Sequence, residues 1–477
     1  MALRSVSGDL PTCCVRSTSF TDYRLLIFEI RKRVTIFHQK QIESGCWLQL
    51  RPASGRDRTD CKLWPRLCRS YGRWQFPRLF NGCGHSRFAG PQQNSLMQTT
   101  ELLVIGAGPF GLAVAAHARL SGIGVTVVGE PMAFWKHNMP GGMFLRSGLE
   151  WHLDAAGVHT LESFLEEKHI SSADVHPVPV EIFREYADWF RESKKIIVQP
   201  LRVKRLRRVD GHFEAECDRG EAIRANRVVA TPGLAPFVNV PAEISASLPD
   251  DRVSHTAALV DFRSLAGKRC LIVGGRQSAF EWAALIAEAA AESVDLVFRH
   301  DTPRFVTSDW SFTDSMIEST LRVPGWFRHL DTGEREEVQK RFWSAGRLQI
   351  EPWLWPRINR KSIRLWPNSS VVKWRSAEGA GVEARLNQGD LLTADKVILA
   401  TGYRVDLSNV PYLADEVASG RLKIDGGFPI LNDDAETTLP GLYITGQAAT
   451  RDLGPCFGFV RGCIASARII VKGLQRA

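Results

Sequence analysis

Two stretches of the chain show the same order of apolar and polar positions. In the first, residues 102–106 form a continuous apolar run, an alanine-rich helical pattern ends near Gly122, and a second apolar run covers residues 125–128. Short runs that are apolar throughout are typical of parallel strands buried on both faces of a sheet. The pattern predicts a strand, a helix and a second parallel strand, which together form one βαβ unit.

The turn between the first strand and the helix has the spacing G-x-G-x-x-G. The first glycine permits a tight turn, the second lets the backbone approach a pyrophosphate, and the third lets helix and strand pack closely. The start of the helix offers free N–H groups to phosphates. A carboxylate nineteen residues past the last glycine can accept hydrogen bonds from ribose hydroxyls. The pattern predicts a dinucleotide site with the candidate residues Gly106, Gly108, Pro109, Phe110, Gly111 and Glu130.

A second stretch repeats this layout, with strands predicted at residues 270–273 and 294–298. Arg276 stands where the middle glycine is expected. Its side chain obstructs a pyrophosphate unless it turns away, in which case the guanidinium group could itself contact a phosphate. The candidate residues of this second dinucleotide site are Gly274, Arg276, Gln277, Ser278 and Ala279.

Basic residues follow the last strand of the second unit, where the first unit has an acid. Arg299 and His300 end the strand, and Arg304 lies just beyond them. A basic residue at this place suits the 2′-phosphate of NADPH, whereas an acid favours the free ribose of NADH. The alternative interpretation is that these are solvated surface side chains.

Two further apolar runs show how the units are joined. The run at 227–233 precedes the second site and the run at 396–403 follows it, and each leads into a turn of small residues. This order predicts an α/β fold of two Rossmann-like three-layer domains, with an NAD(P)H-binding domain inserted into a discontinuous FAD-binding domain. The expected ranges are 97–244 and 395–477 for the FAD-binding domain and 245–394 for the inserted domain.

The first 96 residues differ from the rest of the chain in composition. They hold 16 of the 61 Lys and Arg residues but only 6 of the 52 Asp and Glu residues, so the net charge of +9 belongs to this leader. Because the remainder is nearly neutral, the charge does not indicate a nucleic-acid partner. An organelle-targeting peptide and a basic arm are possible interpretations. We favour a third, in which Met97 is the natural start and the leader is poorly ordered.

The cysteines show neither a metal site nor a redox pair. No C-x-x-C pair occurs and no Cys/His group has zinc spacing. Only four of the ten cysteines follow the leader, and scattered thiols favour a reducing compartment such as the cytoplasm. The sequence contains no uncharged apolar window of eighteen residues, so it does not predict a membrane span.

Beyond the leader, the chain resembles the two-dinucleotide flavoproteins, and among them the flavin-containing and N-hydroxylating flavin-dependent monooxygenases. The resemblance rests on five motifs in order: IGAGPFG, FWKHNMPGGMFLRS, VGGRQSAFE, ATGY and GLYITGQAATRDLGPCFGF. It implies FAD and NADPH as cofactors. It also implies dioxygen and a small molecule as substrates.

The resemblance assigns roles to further residues. The loop at 134–147 is expected to close over the flavin, with Trp135 and Met143 as apolar wall and Arg146 contacting flavin or substrate. Many relatives have Gly-Asp where this chain has Gly446-Gln447, so a neutral amide replaces an acid near the flavin. The ATGY motif adds Thr401 and Gly402 to the candidate residues.

Three single residues or segments leave two interpretations open. His255 matches a family histidine without its preceding aromatic and glycine, and it could equally be structural. Cys456 is more simply a small core residue than a redox thiol. The tryptophan-rich stretch 310–358 is either a core between domains, which we favour, or a substrate-facing region.

The resemblance implies a mechanism that needs no catalytic acid–base pair. NADPH reduces FAD, the reduced flavin forms a C4a-(hydro)peroxide with dioxygen, and one oxygen atom passes to a nucleophilic nitrogen or sulfur or to a carbonyl. One alternative is an NAD(P)H oxidase or reductase that inserts no oxygen. The other is an FAD-binding interaction protein without turnover, for which Arg276 and Gln447 are the supporting departures.

Overall fold

The apolar runs of the sequence form parallel strands in two separate sheets. This computed structural model describes residues 97–377 and 381–476, which lie in one unit spanning residues 90–477. Residues 1–96, and with them the prediction of a poorly ordered leader, lie outside the described residues.

The strands are numbered β1 to β17 along the described residues. They are β1 Gln98–Ile105, β2 Val125–Val128, β3 Val198–Gln199, β4 Val203–Val209, β5 His212–Cys217, β6 Ala222–Ala230, β7 Val253–His255, β8 Arg269–Val273, β9 Ser293–Val297, β10 Ile363–Trp366, β11 Val371–Ala377, β12 Gly381–Leu386, β13 Leu391–Ala394, β14 Lys396–Leu399, β15 Ile424–Asp425, β16 Phe428–Pro429 and β17 Leu442–Ile444.

The helices are numbered in the same way. They are α1 Pro109–Leu120, α2 Ala133–His137, α3 Leu161–Glu167, α4 Val180–Ser193, α5 Ala242–Ser245, α6 Gln277–Glu288, α7 Phe312–Arg322, α8 Trp326–His329, α9 Thr332–Arg341, α10 Trp355–Ile358, α11 Ala414–Ala418, α12 Thr450–Leu453 and α13 Gly462–Arg476. None of the helices in the described ranges combines the length and the apolarity needed to cross a membrane.

The first sheet joins a parallel part to an antiparallel meander. Within the described residues it has seven strands in the order β3-β2-β1-β6-β5-β4, and β17 also pairs with β6. The first half of β6 is antiparallel to β5, and residues 228–230 at its end are parallel to β17. The carboxyl ends of β1, β2 and β17 therefore lie at one edge, where open parallel sheets bind ligands.

The second sheet is parallel throughout, in the order β10-β9-β8-β14-β7. Strand β14 lies inside it between β8 and β7, and Val397, Ile398 and Leu399 are fully buried. The expected domain boundary at residue 395 is therefore too early, because the chain returns to the first domain only after this strand. An apolar run predicts a buried strand but does not specify its sheet.

The two sheets confirm the predicted α/β class with an inserted second unit. All strands of the second sheet lie between β6 and β17 of the first in the chain. The predicted strands and helices of both βαβ units are present as β1, α1 and β2 and as β8, α6 and β9. Helix α1 begins with Pro109, whose missing N–H costs nothing at that position.

The tryptophan-rich stretch 310–358 packs into two of the three apolar cores of the described residues. Trp310 and Phe342 belong to the core around the first sheet, whereas Ile350 and Leu354 belong to the core of the second. This packing supports the interpretation of the stretch as a core between domains.

A π-helical turn, Phe342–Arg347, lies in the middle of this stretch and follows α9. The N–H of Leu348 donates to the Trp343 carbonyl at 2.9 Å, five residues earlier. Gly346 lies against the ring of Trp310, and a Cβ atom there would come within 2.5 Å of two ring atoms. The turn is therefore fixed by close packing. π-Helical turns are frequent at functional sites.

Candidate active site

The first glycine turn requires glycine at its two ends. Gly106 has a φ of 107°, and a Cβ atom there would collide with Thr231. A Cβ atom at Gly111 would collide with the Gly106 carbonyl, whereas one at Gly108 would meet no atom within 4 Å. The Thr231 hydroxyl donates to the carbonyls of Ile105 and Gly106 at 3.0 and 3.2 Å. The turn leaves open space only at its middle, where the pyrophosphate is expected.

The other candidates of the first site surround this turn. Glu130 follows β2, and its Oε1 lies 2.5 Å from Nε2 of His137 on an exposed part of the wall. After β17, Gly446 has a φ of 81° and lies against the Phe110 ring. The Gln447 side-chain amide has no hydrogen-bond partner among the residues that the structure describes. It is therefore available to a ligand.

The second glycine turn repeats the close approach of the first. Gly274 has a φ of 140°, and a Cβ atom there would collide with the Ala400 carbonyl. The His300 side chain covers the next residue, with its Nε2 at 3.0 Å from the Gly275 carbonyl oxygen. Arg299 is exposed beside it. The end of β9 is therefore held against the turn, as in a dinucleotide site.

Arg276 is the N-cap residue of helix α6, and its side chain packs against an aromatic ring. The guanidinium carbon lies 5.1 Å from the ring centre of Trp343. Burial lowers the pKa of Arg276, and its Nη1 has no acceptor in the described part of the chain. The next residue, Gln277, accepts from the Glu351 N–H at 3.3 Å, while its Nε2 is also buried without an acceptor.

Both turns open into one cavity of about 1230 Å³. Small-molecule sites are typically ~300–1,000 Å³, so this cavity is large enough for the reacting ends of two cofactors. The aromatic part of its wall includes Trp135, Trp151, Trp310 and Phe459. The candidate residues in the wall are Gly106, Gly108, Pro109, Phe110, Glu130, Trp135, Met143, Arg146, Arg276, Gln277, Ser278, Gly446 and Gln447. Those outside it are Gly111, Gly274, Ala279, Arg299, Thr401 and Gly402.

The loop at 134–147 forms one side of the cavity. Trp135 packs on Phe183 with ring centres 4.6 Å apart, and Met143 is buried. The acceptors of Arg146 are the Ser308 hydroxyl at 2.5 Å, the carbonyls of Gly346 at 2.5 Å and Gln349 at 3.0 Å, and the Glu351 carboxylate at 3.3 Å. Its guanidinium group therefore ties the first domain to the inserted segment, and its contact with flavin or substrate stays a prediction.

A buried carboxyl group, Glu281, also lies in the cavity wall. Its side chain is on α6, the residue is 2% exposed, and its Oε1 accepts from the Phe144 N–H at 3.4 Å. Burial raises the pKa of Glu281 to about 8, although Arg357 and Arg146 oppose this. The group is therefore mostly protonated at neutral pH and can donate a hydrogen bond.

His255 and the ATGY turn connect backbone segments. The Ala257 N–H donates to His255 Nδ1 at 3.1 Å, so the proton is on Nε2, which donates to the Gly402 carbonyl at 3.1 Å. The Thr401 hydroxyl donates to the Asn239 carbonyl at 2.5 Å. Burial lowers the pKa of His255. Because backbone groups occupy both ring nitrogens, the geometry favours the structural interpretation of this histidine.

The four described cysteines are free and buried, and none lies in the cavity wall. Burial raises the pKa of the Cys456 thiol to about 12, and its sulfur lies 3.8 Å from that of Met316. A thiol with a raised pKa is a poor nucleophile. The structure therefore supports the interpretation of Cys456 as a core residue.

A family model and a curated relative that match this chain are described as an oxidoreductase and a reductase. A family model described as pyridine nucleotide-disulphide oxidoreductase matches residues 103–315. A ferredoxin–NADP reductase of Paraburkholderia phymatum is 23% identical over 355 residues, which are 73% of this chain and 81% of that protein.

Solved structures of similar fold include two monooxygenases. The reduced ornithine hydroxylase of Pseudomonas aeruginosa superposes with a TM-score of 0.65 at 17% identity, covering 79% of this chain and 99% of that one. A flavin-containing monooxygenase of Stenotrophomonas maltophilia has a TM-score of 0.58 at 18% identity, covering 80% and 99%.

This chain is an oxidoreductase, similar in sequence to ferredoxin–NADP reductases and in fold to flavin-dependent monooxygenases. The comparisons confirm the predicted resemblance to the flavin-containing and N-hydroxylating monooxygenases. The cofactors predicted from the sequence agree with these proteins, since a similar ornithine N-hydroxylase of Kutzneria sp. 744 has a structure with reduced FAD and NADP⁺, and the ferredoxin–NADP reductases are named for NADP.

Substitution of two glycines tests the predicted binding of FAD at the first turn separately from the role of that turn in the fold. We expect Gly111→Ala to lower the melting temperature and the soluble yield, because its Cβ collides with backbone. Gly108→Ala should keep the fold but bind FAD about tenfold more weakly, because its Cβ enters the space that the pyrophosphate needs. Flavin absorbance and FAD titration measure both effects.

Gly333→Ala is the matched control, since its Cβ would make only an ordinary contact at 3.4 Å in exposed helix α9. Unchanged FAD affinity in Gly108→Ala would contradict the assignment of the first turn to the cofactor.

The raised pKa of Glu281 predicts a pH-dependent stability. In the unfolded chain the carboxyl has its ordinary pKa of 4.5, whereas in the folded protein its pKa is about 8. The folded state therefore binds the extra proton between these values, and the free energy of unfolding falls as pH rises through them, by up to ~1.4 kcal/mol per unit. Glu281→Gln should flatten this fall, measured as melting temperature against pH.

The control for this measurement is Glu337→Gln, which removes an exposed carboxylate of α9. The same slope in Glu281→Gln and the native protein would show that Glu281 is ionised in the folded state.

Proposed function

We propose that the flavoprotein is an FAD-dependent, NADPH-using monooxygenase that adds one oxygen atom to a small substrate with a nucleophilic nitrogen or sulfur or a carbonyl. The observation that carries the proposal is the single cavity onto which both glycine turns open, with aromatic rings and no thiol in its wall. Two cofactors and a small substrate can meet there away from bulk water.

The residues of the cavity fit the cofactors that this function requires. The open space at Gly108 and the free amide of Gln447 suit the phosphate and ribityl portions of FAD. When bound, FAD supplies the redox and oxygen chemistry. The chain's own residues position the reactants and exclude water, with Trp135, Trp151 and Phe459 as apolar wall.

The second candidate is an NAD(P)H oxidase or reductase that inserts no oxygen. Its support is the similarity to ferredoxin–NADP reductases, one of which is 23% identical to this chain. The similarity to the ornithine hydroxylase, which is named for an amine substrate, favours the monooxygenase and a nitrogen nucleophile.

The test measures NADPH consumption together with product. Purified FAD-loaded protein is incubated under 18O-labelled dioxygen with amine, sulfide and ketone panels, and products are analysed by mass spectrometry. A monooxygenase gives a product with one labelled oxygen atom for each NADPH consumed. Hydrogen peroxide alone, or reduction of an added iron–sulfur protein without labelled product, would establish the second candidate instead.

Arg299 is the best candidate for selecting NADPH over NADH. It is exposed at the end of β9 and has no ion-pair or hydrogen-bond partner among the described residues. The side chain of neighbouring His300 contacts Gly275 and is less available. Loss of a charge-assisted contact with the 2′-phosphate should raise the KM for NADPH in Arg299→Gln roughly tenfold or more, without affecting NADH.

Arg322→Gln is the control, because it removes an exposed arginine that pairs with Glu318 on α7. Equal changes for both nucleotides in Arg299→Gln would contradict the role in 2′-phosphate recognition.

A further inference from the structure

Two arginines in the cavity wall have no acidic partner. Neither the side chain of Arg347 nor that of Arg276 makes an ion pair or hydrogen bond within residues 97–377 and 381–476. We propose that Arg347 and Arg276 form a subsite for a small oxyanion, either the carboxylate of an anionic substrate or a phosphate of the dinucleotide. The assignment to a substrate rests on the function proposed above, whereas anion binding itself does not.

Both guanidinium groups pack against the same aromatic ring, that of Trp343. The guanidinium carbon of Arg347 lies 5.0 Å from the ring centre of Trp343 and 5.2 Å from that of Phe459. That of Arg276 lies 5.1 Å from the same Trp343 ring. Cation–π contacts orient the two cations, but they supply no counter-charge and leave the N–H groups available for an oxyanion.

The charge around Arg347 makes an anion favourable. Burial, followed by the positive charges of Arg146 and Arg276, lowers the pKa of Arg347 to about 10. Arg146 is already paired with Glu351. The raised pKa of Glu281 keeps that carboxyl mostly protonated at neutral pH. Partly buried like charges without a counter-ion destabilise one another, and a bound oxyanion would neutralise them.

Two further donors lie in the same cavity wall as the arginines. The Nε2 of Gln277 and the Nε1 of Trp310 are buried without an acceptor among the described residues, as is Nη1 of Arg276. Gln277 and Trp310 are only 8% and 7% exposed, and both lie in the cavity wall. Buried donors without acceptors are rare in folded proteins. Their grouping in one wall indicates a ligand rich in acceptor oxygens.

The backbone fixes Arg347 at this place. Arg347 is the last residue of the π-helical turn, whose Gly346 contacts Trp310 and accepts a hydrogen bond from Arg146. Arg276 is fixed by its position at the start of α6. Both cations are therefore placed by rigid elements, as a specific subsite requires.

The test measures anion binding to the oxidised FAD-loaded protein, without turnover. Acetate, inorganic phosphate and NADP⁺ are titrated separately, with the flavin absorbance spectrum and calorimetry as readouts. We expect the anion that occupies the subsite to bind at least about tenfold more weakly to Arg347→Gln and to Arg276→Gln than to the native protein. Arg347→Lys, which keeps the charge, should recover part of the affinity.

The arms of the titration distinguish the two sources of the oxyanion. Weaker binding of acetate with unchanged NADP⁺ assigns the subsite to a substrate carboxylate, whereas weaker NADP⁺ in the same variants assigns it to a dinucleotide phosphate. Either result supports the subsite. Unchanged affinity for all three probes in both FAD-loaded variants would overturn it.

Two controls separate binding from folding. Arg385→Gln removes an exposed arginine of β12 that lies outside the cavity wall, and it should leave all three affinities unchanged. Arg347→Gln should not lower the melting temperature, since it removes an uncompensated charge. A lower melting temperature together with native anion affinity would show a packing role and overturn the proposal. The test measures anion affinity and no substrate oxidation. Its outcome can therefore be interpreted even if the protein is not a monooxygenase.

Discussion

The structure depends on one backbone constraint that is used twice. In each domain the glycine turn after the first strand of the βαβ unit packs directly against a turn of small residues that follows another strand. Gly106 meets Thr231 in the first domain, and Gly274 meets Ala400 in the second. There is no room for a Cβ atom at either contact. This close approach brings the ends of neighbouring strands together, and both turns consequently open onto the same cavity.

The coupling between the domains depends on a few polar groups. Arg146 reaches from the first domain to four acceptors in the inserted segment, and Glu281 on α6 receives the Phe144 N–H from the same loop. Buried polar contacts of this kind are sensitive to the loss of either partner, because the group that remains is left without a hydrogen-bond partner. Movement of one domain against the other must therefore break or shift these contacts.

Local patterns predicted the two βαβ units because strand burial, glycine spacing and helix composition are all encoded within about thirty residues. The sheet membership of β14 was not predictable, because an apolar run looks the same in either sheet. Glu281 was missed since it lies in a helix whose apolar pattern hides one buried carboxyl. The sequence around Arg347 did not indicate a site residue, because its side chain packs against Phe459, which is distant in the sequence. Thr231 could have been found, since it stands in the ATPG turn.

The π-helical turn makes this part of the chain sensitive to length. A π turn contains one more residue than an α turn, and each residue of an α-helix rotates the following side chain by about 100°. Deletion of a single residue from 342–347 would restore regular α-helical geometry and turn the side chain of Arg347 away from Phe459. Homologous chains that differ by one residue here should therefore have a differently charged cavity wall, even if every other wall residue is the same.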